Sequence, residues 1–228
     1  MDAVNELMHH EETKLILATG GGAMVHAAYS SGKPAIGVGA GNGPAYIHKS
    51  ADIPKAVSDI IRSKTFDNGT VCASEQSVIL EKCCADRVRE EFRARGCYFL
   101  NTQEAAKVAK LLLRPNGTIN PKVVGKTAHE VAMLAGLDHV PENTPVLIAR
   151  ETEAGPTRPY SREKLCPILA FFVEEDEHTI LKRVCEVLYG EGAGHTFAIH
   201  AQDEAVIRRF ALEVPVSRFL VNTPASLG

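Results

Sequence analysis

The chain has 228 residues, of which 45% are hydrophobic and 23% are charged, so it can bury a sizeable core and is neither disordered nor fibrous. Its formal net charge of -3 provides no basic surface for nucleic acid, and its apolar runs are too short to span a bilayer. These properties predict a globular protein of one large or two small domains that binds neither nucleic acid nor membranes.

The N-terminus and the cysteine spacings indicate the cellular setting. Residues 1–6 lack both the basic start and the apolar core of a secretory signal. We therefore expect a cytoplasmic protein whose six cysteines are reduced thiols. No C-x-x-C pair occurs, and His9-His10 is a lone histidine doublet, so no metal site is predicted.

The first periodic segments predict a strand, a helix and a second strand. A short buried-strand pattern covers 14–19, a helical pattern covers 24–30, and 34–39 is extended again. Gly20-Gly21-Gly22 lies at the turn between the first strand and the helix, where bare amides could receive a phosphate or an amide group. A tight turn without a ligand is the alternative, because the G-x-G-x-x-G spacing is absent.

The rest of the chain alternates between helical and extended patterns. Asp52 is a predicted N-cap for a helix whose apolar face consists of Ile53, Ala56, Val57, Ile60 and Ile61. Further strands are predicted at 77–80, 97–100, 146–149, 168–173, 196–200 and 218–221, and further helices at 85–95, 104–113, 127–135, 178–189 and 204–212. This alternation favours an α/β fold with a largely parallel sheet flanked by helices.

Cys72 is the candidate nucleophile. It lies in the polar, glycine-containing segment 65–76, between a predicted helix and a predicted strand, where a thiol can be reached. A thiol attacks as its thiolate, and a cysteine used only for packing belongs on an apolar face. Packing roles are predicted for three other cysteines: Cys83, Cys84 and Cys185.

Several segments of the chain resemble motifs of the coenzyme-A-acylating aldehyde dehydrogenases, a branch of the aldehyde dehydrogenase superfamily. Residues 68–73 look like the nucleophile loop of that superfamily, and 37–42 like its Glu-Leu-Gly-Gly segment. The other similar segments are 18–22 (a strand-to-helix turn of the nucleotide domain), 163–167 (Glu-x-Phe-Gly-Pro) and 215–224 (near the C-terminal end). Residues 27–34 and 39–42 point to the acylating branch, which includes the aldehyde half of bifunctional aldehyde-alcohol dehydrogenases and the aldehyde dehydrogenases of microcompartments.

The resemblance implies an activity and a set of site residues. Cys72 would add to a small aldehyde, hydride would pass to NAD, and coenzyme A would remove the acyl group, with each step reversible. The implied NAD contacts are Thr19, Gly20 and Gly21 near the nicotinamide and pyrophosphate, Gly39 along the nicotinamide face, and Glu163 at the ribose. The alternative for Glu163 is a solvated loop carboxylate beside Arg162 and Lys164.

Two histidines, His195 and His129, are further candidates for a functional role. His195 follows a glycine-rich run, and the resemblance suggests contact with coenzyme A or a role in proton movement. The alternative is a histidine that closes a turn with a backbone hydrogen bond. His129, on the predicted helix 127–135, has the same two interpretations.

Val38 stands where hydrolytic members of the superfamily carry a carboxylate that activates water. An isopropyl group cannot accept a proton, so the acyl-enzyme should survive until an external thiol removes the acyl group. The alternative is that Val38 completes a buried strand at 36–38.

The resemblance also implies a domain organisation. Residues 1–40 would be the last strand-helix-strand of a nucleotide-binding domain, 41–214 a catalytic domain, and 215–228 a segment near the C-terminal end. On this interpretation the chain is a catalytic-domain fragment with little affinity for NAD by itself, taken from a homo-oligomeric protein of the cytoplasm or of a bacterial microcompartment. The alternative functions are a hydrolytic aldehyde dehydrogenase and a non-catalytic assembly domain.

Overall fold

The computed structural model describes residues 2–228, which divide into two compact units at the Ala40–Gly41 bond. The first unit contains α1 (Asp2–His9), β1 (Ile16–Thr19), α2 (Gly22–Ser30) and β2 (Ala35–Val38). β1 and β2 pair in parallel, with Ile16 opposite Ala35 and Thr19 opposite Val38. The predicted strand-helix-strand order is confirmed, whereas α1 was not predicted.

A glycine allows α2 to pack closely on β2. A Cβ atom on Gly37 would lie 2.5 Å from Val25 Cγ1 and 2.9 Å from Tyr29 Cε2. The Tyr29 hydroxyl also accepts a hydrogen bond from the Gly37 amide at 2.9 Å. Side chains larger than hydrogen are therefore excluded at position 37 unless the helix moves away from the strand.

The second unit is built on a seven-stranded parallel sheet with the strand order β5-β6-β7-β4-β3-β8-β9. Its strands are β3 (Gly43–Ile47), β4 (Glu75–Glu81), β5 (Tyr98–Phe99), β6 (Leu147–Glu151), β7 (Ile168–Glu174), β8 (Thr196–His200) and β9 (Arg218–Val221). Its helices are α3 (Ile53–Thr65), α4 (Ala85–Ala94), α5 (Thr102–Leu112), α6 (Ala128–Leu134), α7 (Glu177–Gly190) and α8 (Glu204–Glu213). The predicted α/β fold with a parallel sheet flanked by helices is confirmed.

Both faces of this sheet are covered by apolar clusters. Alternate residues of β4 belong to different clusters, with Ile79 on one side and Val78 and Leu80 on the other. This follows from the two-residue period of a strand, and it explains why the central strands are apolar on both faces. The two-sided burial fixes the strand register, and with it the position of the loops at either edge.

Helix α3 forms as its sequence predicts and leads to the cysteine loop. The Asp52 side chain accepts a hydrogen bond from the Lys55 amide at 3.0 Å, which caps the N-terminus. Four of the five predicted apolar residues are buried, namely Ile53, Ala56, Val57 and Ile60. The fifth, Ile61, is half-buried. Burial of each large aliphatic side chain contributes about 1.5–3 kcal/mol.

Strand β3 was missed by the sequence analysis, although it lies between β4 and β8. Its start, Gly43-Pro44, resembles a turn, and proline lacks the amide that a central strand donates. The sheet accommodates Pro44 because the register with β4 shifts between these two residues.

The six cysteines are free thiols. Cys84 is buried, whereas Cys83 is exposed, so the predicted packing role of Cys83 is wrong. Both residues lie in a 3₁₀ turn at residues 82–84, which directs only Cys84 inward. No helix among residues 2–228 is both long and apolar enough to cross a membrane.

Candidate active site

Cys72 lies in a loop whose shape is fixed by local hydrogen bonds. After α3 the chain forms a 3₁₀ turn in which Asp67 and Asn68 have positive φ angles of 48°. The Asp67 carbonyl accepts a hydrogen bond from Thr70 Oγ1 at 2.9 Å, and the Asn68 side chain donates to the Gly125 carbonyl at 3.0 Å. Such strained backbone persists only where its surroundings hold it, and it is common at functional sites. The half-buried Cys72 thiol is therefore presented by a fixed loop.

Gly41 brings the backbone of the cysteine loop close to a histidine. A Cβ atom on Gly41 would overlap the Cys72 carbonyl, whose carbon lies only 2.8 Å away, and would lie 3.2 Å from His195 Cε1. Cys72 and His195 are thus neighbours around one glycine, and any larger residue there would displace the loop. This close approach brings the predicted nucleophile and the predicted proton-moving residue into one site.

His195 is half-buried and neutral at neutral pH. Burial, and then the nearby Arg218, lower the pKa of its imidazole below the usual value of 6.5. Its Nδ1 lies 2.9 Å from Thr196 Oγ1, and Nε2 makes no hydrogen bond to residues 2–228. The His195 amide donates to the Gly192 carbonyl, so His195 closes the turn with a backbone hydrogen bond, as the alternative interpretation predicted. This bond does not use the ring, and Nε2 can accept a proton.

His129, the other candidate histidine, has a structural role. Its Nδ1 lies 3.0 Å from the Val140 carbonyl oxygen, which joins α6 to the segment that follows it. This contact agrees with the interpretation of His129 as a residue that holds a turn.

Glu163 is half-buried beside the same glycine. Its Oε1 accepts a hydrogen bond from the Gly41 amide at 2.8 Å. Burial raises the pKa of this carboxyl group to about 7, although the Gly41 hydrogen bond opposes the shift. The alternative interpretation of Glu163 as a solvated loop carboxylate is therefore wrong, because its side chain lies inside the site and is held there.

Two buried lysines support the segment that carries Glu163, and the sequence analysis missed both. Lys64 is fully buried and its Nζ donates to Gln76 Oε1 at 3.1 Å, whereas Lys164 Nζ donates to the carbonyls of Tyr160 and Arg162, both at 2.6 Å. Burial lowers the pKa of Lys64 to about 8 and that of Lys164 well below its usual value. Lysines rarely lie inside proteins, so composition gives no signal for such a pair.

The remaining predicted site residues lie in the first unit, at the carboxyl end of its two-stranded sheet. Thr19 and Gly39 are exposed at the ends of β1 and β2, and Gly21 is the N-cap of α2 without a side-chain hydrogen bond. The Gly20 amide donates to the Val38 carbonyl at 3.1 Å. A helix N-terminus with an uncapped first turn is a suitable place for an anionic or carbonyl group.

Val38 is the last residue of β2, and its side chain is 41% exposed. The alternative that Val38 only completes a buried strand is therefore wrong, because neither it nor Ile36 is buried. The side chain is free to contact a ligand at this edge, and it has no group that exchanges a proton.

Comparisons with known proteins agree on one family. Residues 1–98 match the sequence profile of the "Aldehyde dehydrogenase family". The curated "Bifunctional aldehyde-alcohol dehydrogenase AdhE" of Escherichia coli (strain K12) is 45% identical over 227 residues, which cover 98% of this chain and 25% of that protein. The crystal structure of a probable aldehyde dehydrogenase from Listeria monocytogenes EGD-e is 56% identical, with a TM-score of 0.98, and its match covers all of this chain and 50% of that one.

A further similar structure contains coenzyme A. The Rhodopseudomonas palustris propionaldehyde dehydrogenase with bound CoA and an acylated cysteine has a TM-score of 0.90 at 28% identity, over 98% of this chain and 50% of that one. The present chain thus spans about a quarter of the bifunctional relative and about half of each of these two solved chains.

Proposed function

We propose that the chain, a member of the aldehyde dehydrogenase family that matches acylating relatives, carries the nucleophile of an enzyme. This enzyme would convert a small aldehyde and coenzyme A into an acyl-CoA, and catalyse the reverse reaction, with NAD as the hydride acceptor. The observation that carries this proposal is the half-buried Cys72, in a loop whose backbone carbonyl and the His195 ring both lie close to Gly41. An assembly domain would need neither a partly exposed cysteine in such a loop nor a histidine near it.

The first step is addition of the Cys72 thiolate to the aldehyde carbonyl. The sulfur–carbon bond forms while the carbonyl π electrons move to oxygen, which gives a thiohemiacetal. The amides of Cys72 and Ala73 make no hydrogen bonds to residues 2–228, so they are free to donate to that oxygen. Stabilisation of this kind is commonly the largest single contribution to acyl-transfer catalysis.

Each unit offers groups of a kind that NAD binds. Glu163 offers a carboxylate in the site, and the Gly20–Gly21 turn offers amides at the start of α2. Bound nicotinamide supplies the hydride acceptor that converts the thiohemiacetal into the thioester. The ionised Glu163 is the stronger acceptor for ribose hydroxyls, so its contribution should rise with pH around its raised pKa of about 7.

The last step is attack of coenzyme A on the Cys72 thioester. His195 Nε2 takes the proton of the incoming thiol, the new sulfur–carbon bond forms, and the Cys72 thiolate leaves. A neutral imidazole is needed for this role, and the lowered pKa of His195 provides it at neutral pH.

Assembly of the protein into a homo-oligomer stays a prediction.

The residue at position 38 determines whether coenzyme A or water removes the acyl group from Cys72. By resemblance it occupies the position of the general base in hydrolytic relatives, and its exposed isopropyl group cannot activate water. Val38→Glu is therefore expected to raise the rate of hydrolysis of the Cys72 acyl-enzyme about 100-fold, the lower end of the range for a positioned general base. The measurement acylates the protein with propionyl-CoA, removes the excess, and follows release of propionate without coenzyme A.

Val38→Gln is the matched control, because it has the same length as glutamate and cannot take up a proton. The proposal predicts no gain in hydrolysis for this control. Rapid propionate release by the unmodified protein would contradict it and favour a hydrolytic enzyme.

A further inference from the structure

A second cluster of ionisable side chains lies at the edge of the seven-stranded sheet opposite Cys72. Cys72 precedes β4, whereas His48 follows β3, Glu81 ends β4 and Glu177 begins α7. His48 Nε2 lies 3.5 Å from Glu177 Oε1 and 3.8 Å from Glu81 Oε2. One possible ligand atom from each of the three residues lies within 4.8 Å of the other two. These residues are far apart in the sequence, so motif spacing could not find the group.

One ring nitrogen of His48 is a buried polar atom without a hydrogen-bond partner in this group. The side chain of His48 is 1% exposed, and Nε2 has no hydrogen-bond partner among residues 2–228. Buried polar atoms of this kind are nearly always paired. The other ring nitrogen is held, because Nδ1 lies 2.7 Å from Ser50 Oγ, which accepts hydrogen bonds from the amides of Gln202 and Asp203. The ring is thus fixed with Nε2 aimed between the two carboxylates.

The two carboxylates already attract a positive charge. Lys49 Nζ lies 3.1 Å from Glu81 Oε1 and 3.6 Å from Glu177 Oε1, and its side chain is 54% exposed. Glu177 Oε2 also lies 3.7 Å from the half-exposed Arg209. The ammonium group of Lys49 can leave without unfolding, because a recess of about 420 Å³ lies beside Lys49, Glu81 and Glu177 and opens to solvent.

We propose that His48, Glu81 and Glu177 bind a divalent transition-metal ion of the Zn²⁺ class in place of the Lys49 ammonium group. An imidazole nitrogen with two carboxylates suits such ions, whereas Mg²⁺ prefers an all-oxygen octahedron. Tetrahedral bonds of about 2.0–2.1 Å place ligand atoms about 3.3–3.5 Å apart. The His48–Glu177 separation of 3.5 Å already fits this geometry, and the other separations, none above 4.8 Å, must shorten.

Binding requires the ring proton of His48 to lie on Nδ1, because Nε2 binds the ion. The 3.2 Å hydrogen bond that Nδ1 accepts from the Ser50 amide is then lost. Nδ1 can donate to Ser50 Oγ in its place once that oxygen releases one of the two amides, Gln202 or Asp203, that donate to it. The ion would join β3, β4 and α7 at the edge away from the nucleophile. The site is independent of the aldehyde chemistry.

The test measures Co²⁺ absorption and Zn²⁺-dependent thermal stability of the whole chain carrying Cys72→Ala, which removes the nucleophile as a competing ligand. We expect saturable visible absorption from Co²⁺ without a thiolate charge-transfer band. We also expect Zn²⁺ to raise Tm by about 5–10 °C at a free concentration about 100 times Kd.

Three variants separate this site from other binding. Glu81→Gln should abolish the absorption and the shift in Tm, whereas Lys49→Met should tighten binding, because it removes the competing ammonium group. Glu90→Gln, on an exposed residue of α4, makes the same change in charge as Glu81→Gln and should have no effect. The proposal is overturned if no saturable binding occurs, if binding survives Glu81→Gln, or if Cys83→Ala alone removes it.

Discussion

Replacement of Cys72 by alanine is expected to abolish the exchange of labelled coenzyme A into propionyl-CoA, with a loss of about 10⁴–10⁶ in rate. The exchange requires a nucleophile that takes the acyl group and returns it, and Cys72 is the cysteine whose backbone lies against Gly41. Loss of such a nucleophile removes the covalent route altogether. The measurement follows label in the acyl-CoA pool with time, at equal protein concentrations.

Cys83→Ala is the matched control, because Cys83 is the exposed thiol of the chain and lies at the far end of β4. Exchange by this variant should equal that of the unmodified protein. Exchange that survives Cys72→Ala, or that depends on Cys83, would contradict the assignment of the nucleophile. Equal thermal stability of the two variants would exclude unfolding as the cause of a loss.

Replacement of His195 by alanine is expected to slow the coenzyme A step by about 10²–10⁴, the usual contribution of a positioned general base. The sign of its pH dependence follows from the lowered pKa. The neutral, proton-accepting ring predominates at pH 7, and exchange should fall only as the pH drops below 6.5 towards that pKa. This fall should be absent from the His195→Ala profile, where no imidazole remains to be protonated.

His129→Ala is the comparison for this prediction, because the ring of His129 bonds to the Val140 carbonyl and lies outside the group around Gly41. The His129→Ala substitution should lower the thermal stability of the protein and leave the rate of coenzyme A exchange nearly unchanged. A His195→Ala variant that exchanges coenzyme A as fast as the unmodified protein, with the same pH profile, would remove His195 from the mechanism.

Periodicity was sufficient to predict most of the fold. Strands such as β7 are apolar on both faces and helices such as α3 carry one apolar face, so burial and local pattern agree. Prediction failed at β3, where Pro44 contradicts the ordinary rule for a central strand and only a register shift makes it acceptable. It failed at Cys83 because one residue decides which thiol of a short turn faces inward.

The chemistry of the site could be predicted only in part. The polar loop around Cys72 was visible in the sequence, since glycine and polar residues interrupt two apolar patterns. The burial of Glu163 and of Lys64 was not visible, because a charged side chain in a sequence is ordinarily a surface residue. The contact of Gly41 with Cys72 and His195 joins residues that only the folded sheet brings together.

The central claim is that Cys72 accepts an acyl group from coenzyme A. The direct measurement is peptide mass spectrometry of the folded chain after brief reaction with propionyl-CoA at neutral pH. The account predicts one propionyl group on the Cys72 peptide, as a thioester that added coenzyme A removes. An acyl group found on Cys83, Cys185 or a lysine instead, or a Cys72 thiol that reacts only after unfolding, would contradict it.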